Sequence, residues 1–256
     1  MSESYYSRYS DVMRAFSNRK ALTIEYFHKE LLMDEETIGF QFWLSDEIAT
    51  LSKKHSREWN PNLQKQTAHI LYNRDLHYFY GALEQASSGL CDPCYNNLRT
   101  IYESILKMYY LWANPSDAEN VNKDMENPKR PKYDHNYLIQ HLYSKNMQDS
   151  MRKFFREISA KAHSSYTGIA ATFEYSAKQV KDCLDSILML SFYNITAEVE
   201  NQSLEPSILE ESQFTKIGNY LEKLRQVLVD EKGNMPSFFP DKPELWKKLG
   251  IKPGSQ

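Results

Sequence analysis

The residues best suited to chemistry lie in one basic segment, Arg152-Lys-Phe-Phe-Arg156-Glu-Ile-Ser159-Ala-Lys-Ala-His163-Ser-Ser. Arg156 offers a planar guanidinium fork for a phosphate. His163 offers an imidazole that moves protons near neutral pH. From Lys145 to His163, Lys145, Arg152, Lys153, Arg156 and Lys161 outweigh Asp149 and Glu157. His163 falls where a short helix is expected to yield to the start of a longer one, and a helix N-terminus presents free N–H groups to an anion. A base for a ribose 2′-hydroxyl and donors for the adjoining phosphate are what metal-independent RNA cleavage requires. Ser159, four residues before His163, shares its helical face. The plainer reading is a helix-junction histidine beside a solvated basic face.

Arg99 and Glu103 form a second constellation. Leu98, Ile101, Tyr102, Ile105, Met108, Tyr109 and Trp112 make an apolar arc at helical spacing, and the Arg99–Glu103 stripe falls on its border. A charged pair there is partly desolvated and supports a site, or it is an ordinary i,i+4 pair. Cys91-Asp-Pro-Cys94 is a CxxC whose second thiol falls in the first turn of a helix, where the dipole favours a thiolate. A thioredoxin-like role needs a preceding strand and a zinc site needs more ligands, so these cysteines read as structural. Glu25-x-x-His28 has no second such motif, as a di-iron carboxylate site would require. His69, Asn73 and His77 share a face with no evident carboxylate. No metal and no cofactor is expected, and the glycine signatures of nucleotide-binding loops and serine hydrolases are absent from the sequence.

The elements that must position these residues are helices. Helical periodicity predicts segments at about 5–32, 34–55 with Asp34 as N-cap, and 61–88 after Asn60-Pro61. Further segments are expected at 93–113 after Asp92-Pro93, 134–144, 147–162, 165–201 after Ser164-Ser165, and 205–230. Residues 114–133, with Pro115, Pro128 and Pro131, read as one long loop of the kind that is functional or mobile. The expected architecture is an all-α, up-and-down bundle of about seven to eight helices with a long helix over 165–200. It forms one domain over 1–230 with a C-terminal extension over 231–256, whose Phe238, Phe239 and Trp246 are expected to pack on the body.

Composition agrees with this reading. The 256 residues include only 8 Gly and 10 Pro, too few turn-formers for a many-stranded sandwich or barrel. Aromatics at 13% give enough apolar bulk for a core, which excludes a disordered chain. A net charge of −3 leaves no global field for nucleic acid, so any phosphate site must be local. No apolar run is long enough for a membrane span and no signal peptide is visible. Three Cys do not make a disulfide framework, and a cytoplasmic location is expected.

Six residues separate Arg156 from His163. This resembles the Arg-x4–6-His signature of HEPN domains (higher eukaryotes and prokaryotes nucleotide-binding). The resemblance implies an all-α bundle that dimerises and often acts as an RNase in toxin or antiviral systems. It implies Arg156 as phosphate ligand and His163 as base at a dimer-shared site, with RNA or a nucleotide as partner. Leu98-Arg99-x-x-x-Glu103 and Ser159-x-x-x-His163-Ser164 also resemble segments of a group of prokaryotic helical proteins, in which Arg99, Glu103 and Ser159 would be a supporting polar network. The two resemblances span roughly residues 60–200. The alternative is a non-catalytic helical interaction or scaffold protein, with Arg99, Glu103 and His163 as a buried network fixing helix register.

Overall fold

A computed structural model describes residues 2–126, 131–162, 176–229 and 249. The described elements are helices: α1 (Ser2–Lys54), α2 (Ser56–Trp59), α3 (Leu63–Ser87), α4 (Cys91–Ala113), α5 (Ala118–Glu126), α6 (His135–Leu142), α7 (Lys145–Ala162), α8 (Ala177–Gln202) and α9 (Glu211–Leu228). Among the described residues there is no strand. The protein is an all-α helical bundle.

The bundle is organised around α8. Ser176 caps it, its side chain accepting from Gln179 N. That cap lies well past Ser164-Ser165, and the intervening residues 163–175 lie outside the described ones. From Ile187 to Gln202 every residue of α8 is buried. A helix enclosed on all sides cannot keep a wet face, so its polar side chains must find partners inside. They do. Ser191 and Asn194 bond the Gln41 amide of α1. Asn201 donates to the Met108 carbonyl of α4 at 3.0 Å, and Gln202 donates to the Lys65 carbonyl of α3 at 3.1 Å. Helices α1, α3, α4 and α9 all pack on it.

Two predicted breaks fall elsewhere. The predicted division at Asp34 is absent, and α1 runs to Lys54 with one non-helical residue, Phe27 (φ −126°, ψ 29°). One turn before it the Thr23 hydroxyl bonds back to the Arg19 carbonyl at 3.0 Å, a contact that bends helices. The helix continues through Asp34 because Leu31, Asp34, Ile38, Gln41, Leu44 and Ile48 are all buried on one stripe. Tertiary packing overrides the local capping signal. The cap of α3 is Asn62 rather than Asn60, its side chain accepting from Lys65 N at 3.0 Å.

The described residues of the stretch 114–133 are also more ordered than its composition suggests. It holds a 3-10 turn (Pro115–Asp117) and α5. Asp124 receives the Lys132 and Tyr133 N–H groups at 2.6 and 3.2 Å. Asp117 receives the Tyr110 and Tyr133 hydroxyls at 2.6 and 3.3 Å. Two acids thus bind polar groups on both sides of residues 127–130, which lie outside the described ones.

The last helix starts at Glu211, not 205, because Lys65 reaches in before it. The Lys65 ammonium is fully buried and donates to the carbonyls of Gln202 (3.4 Å), Leu204 (2.7 Å) and Pro206. It thereby serves the last carbonyl of α8 and two carbonyls of the chain that leaves it. Burial lowers its pKa to about 8, which leaves it charged at neutral pH. Gly218 in α9 lets the backbone of Leu249 approach: a Cβ built there would lie 2.0 Å from the Leu249 carbonyl oxygen. Phe238, Phe239 and Trp246 lie outside the described residues.

Candidate functional site

The expected arc of α4 is buried, with Leu98, Ile101, Tyr102, Ile105, Met108 and Tyr109 inside. This fixes Arg99 and Glu103 on its border, as their spacing requires. Their side chains are 32% and 34% exposed, and Arg99 Nε lies 3.4 Å from Glu103 Oε1. The pair is therefore half-wet rather than a buried network.

Helices α6 and α7 complete the surroundings. Asp134 caps α6, accepting from Tyr137 N at 2.8 Å, and this places His135 at the first helical position. The His135 ring stacks on Phe155 of α7, centroids 3.7 Å apart and planes 19° from parallel. The Arg99 guanidinium carbon lies 5.1 Å from the same Phe155 ring centre. Tyr102 meets Phe154 edge-on at 5.3 Å. One aromatic side chain thus carries a guanidinium and an imidazole.

Electrostatics tune that imidazole. Burial holds His135 below its ordinary pKa. Arg99 pushes the same way, against Glu103 and Asp134. A neutral imidazole at pH 7 accepts or relays a proton, and an adjoining guanidinium stabilises an anion. His135 has no counterpart among the sequence-predicted site residues. The readable signal was Asp134 as a helix cap, which sets His135 at the start of α6.

Arg156, next in the chain to Phe155, is exposed and makes no hydrogen bond or ion pair among the described residues. Its neighbour Glu157 pairs with Lys153 at 4.0 Å. Arg152 is held by Gln148 and Asp149 at 3.3 and 3.4 Å. Ser159 is half-buried, and its hydroxyl has no hydrogen-bond partner among the described residues. His163 lies outside the described residues. The structure therefore joins Arg99 to Glu103 and links them to α7 through Phe155. Among the described residues neither Arg99 nor Glu103 makes a hydrogen bond or ion pair with Arg156 or Ser159.

The other constellations resolve differently. His69 does have a carboxylate: its Nδ1 lies 2.9 Å from Oε1 of fully buried Glu198, which also accepts from Gln202 at 3.1 Å. The partner comes from α8, 129 residues away, which spacing within α3 cannot reveal. Asn73 bonds Ser45 and His77 is exposed. Glu25 and His28 are exposed on either side of the Phe27 irregularity. Cys91, Cys94 and Cys183 are buried and form no disulfide. A hydrogen bond with Cys183 and burial push the Cys91 thiol far up, so it is no nucleophile at neutral pH. Among the described residues no group of three or more His, Cys, Asp or Glu is placed to hold a metal ion. No described helix is long and apolar enough to cross a membrane.

In comparisons with models of known protein families, with curated proteins and with solved structures, nothing matches this chain.

Proposed function

We propose that this is a HEPN-like helical protein that takes a phosphate-bearing ligand, RNA or a nucleotide, on the face where α7 meets α4 and α6. In this reading Arg156 is the phosphate ligand and His163 the base of a metal-independent ribonuclease, and two copies share the site. The observation that carries the reading is Arg156 itself. It is exposed and without an ion pair among the described residues, one position from the ring that bears Arg99 and His135. An exposed guanidinium whose charge is not already spent on a neighbouring acid suits an anion. Arg99, Glu103 and Ser159 act as supports, and a toxin or defence setting fits such an activity.

The test is binding and cleavage of a fluorescein-labelled single-stranded RNA in EDTA. Arg156→Ala should weaken binding about tenfold, the loss of one charge-assisted phosphate contact worth about 1.4 kcal/mol. His163→Ala should keep binding and abolish cleavage. Binding and cleavage unchanged in both variants, with helical circular dichroism intact, would overturn the proposal.

A second reading, a non-catalytic helical interaction or scaffold protein, is favoured by a different observation. The polar network that fixes helix register joins α3 to α8, through Gln64, Lys65 and His69 on one side and Glu198, Asn201 and Gln202 on the other. It does not involve Arg99. Absence of any turnover or RNA binding in wild-type protein would leave that reading standing.

A further inference from the structure

Asp34 is the most anomalous side chain outside the Arg156 face. The residue is 1% exposed, and neither carboxyl oxygen has a hydrogen-bond partner among the described residues. Leaving a buried carboxyl without partners is costly whichever state it adopts. Nothing in the helix requires an acid there, since the stripe around it is Leu31, Ile38 and Leu44.

Asp34 also belongs to the lining of a cavity of about 300 Å³ between α1, α8 and α9. That volume is at the small end for ligand pockets. Leu184 and Leu188 are its other buried residues, and Met33 and half-exposed Val227 complete the apolar wall. The rim is charged. Lys181 is engaged, with its ammonium 2.9 and 3.1 Å from the two Asp185 oxygens. Lys29 and Glu30 stand on the same rim, neither in an ion pair among the described residues. The cavity therefore combines an apolar wall, an unsatisfied acid below and one free charge of each sign at the mouth.

We infer that this cavity is a binding site for a small aliphatic amine, with the ammonium on Asp34 and the methylenes against Met33, Leu184, Leu188 and Val227. An ammonium supplies three donors to two oxygens that have none. An anion would meet three acids, Asp34, Glu30 and Asp185, against two lysines, Lys29 and the already engaged Lys181. A neutral apolar guest would leave the carboxyl unpaired.

A proton accompanies the amine. Burial raises the Asp34 pKa well above the ordinary carboxylate range. Asp185, Glu30 and Glu35 add to this, and Lys181 opposes it. From α9, Tyr220 donates its hydroxyl to Thr37 at 3.0 Å, and burial, with smaller contributions from Glu36 and Asp34, raises its phenol pKa against that bond. Burial thus favours the neutral acid at Asp34 in the free protein. Binding of the ammonium ionises it, and the carboxyl proton leaves to solvent. Affinity accordingly rises with pH, up to tenfold per unit while Asp34 is protonated in the free protein.

The experiment is calorimetric titration and thermal shift of the full chain with n-butylamine, with n-butanol as the neutral probe. Saturable binding of the amine is expected, tighter at pH 8 than at pH 6 and at least tenfold tighter than butanol. Asp34→Asn, nearly the same shape, should lose at least tenfold in amine affinity and lose the pH dependence. Val227→Trp, at a 52% exposed rim position, should block entry while leaving Asp34 in place. It keeps the test decisive if the Asn variant folds poorly. Equal response to amine and butanol, undiminished amine binding in Val227→Trp, or full affinity in a folded Asp34→Asn protein would overturn the assignment. RNA binding by the Arg156 face is independent of every one of these outcomes.

Discussion

Replacing Gly218 by alanine separates a local rule from a tertiary one. In an ordinary helix interior the substitution stabilises by about 1 kcal/mol, because alanine loses less backbone entropy on folding. Here the new Cβ would stand 2.0 Å from the Leu249 carbonyl oxygen, with the carbonyl carbon at 2.9 Å. Real Cβ contacts do not fall below 3.0 Å, so the Leu249 backbone must retreat by about 1 Å or more. Leu249 is 5% exposed and packs in the core. Undocking it forfeits about 1.5–3 kcal/mol of side-chain burial. Setting the helix gain against that loss, Gly218→Ala should destabilise by about 0.5–2 kcal/mol. Urea denaturation of wild type, Gly218→Ala, Leu249→Ala and the double variant forms the cycle that checks it. Once Gly218→Ala has displaced Leu249, the leucine truncation should cost almost nothing further. A Gly218→Ala protein more stable than wild type, or full additivity in the cycle, would refute the reasoning.

Two further outcomes follow from buried ionisable groups. Lys65→Met removes the buried donor to the Leu204 and Pro206 carbonyls and should cost about 2–4 kcal/mol in urea denaturation; an unchanged midpoint would show that other donors serve those carbonyls. Asp75 is fully buried between α3 and α4, and its folded pKa is raised well above 3.8, chiefly by burial. Above pH 4 the unfolded chain therefore gives up a proton that the folded one keeps, and stability falls as pH rises. Asp75→Asn should erase that contribution, so its Tm relative to wild type should climb between pH 4 and 7; a constant difference would count against a protonated Asp75.

The bundle was legible because its determinants are local and periodic. The α4 arc from Leu98 to Tyr109 needs only the 3.6-residue repeat, and that repeat placed Arg99 and Glu103 on its border. Boundaries failed where long-range packing outweighed a local signal. Asp34 followed by two glutamates has the form of a cap, yet it is the buried acid of a continuous helix. Lys65 determines how the chain leaves α8 through carbonyls some 140 positions away, with nothing in its own neighbourhood to announce it. The candidate site divides the same way. Arg99 and Glu103 were found by spacing, whereas His135 joins them only because Phe155 packs beneath both side chains. Glu198 completes His69 across 129 residues, a distance at which a single sequence carries no pairing signal.

The enclosure of α8 sets a schedule for the chain as it is made. Three of the four helices that pack on it, α1, α3 and α4, precede it, and α4 ends at Ala113 while α8 begins at Ala177. At about 5–20 residues per second, the ribosome leaves roughly 3–13 seconds between completing α4 and starting the helix its inner face packs against. Through that interval Leu98, Ile101, Ile105 and Met108, with Leu71 and Leu44 opposite, lack the central helix of the finished core. The nascent chain must therefore be guarded longest in its first half, and the final collapse waits on a helix from its last third.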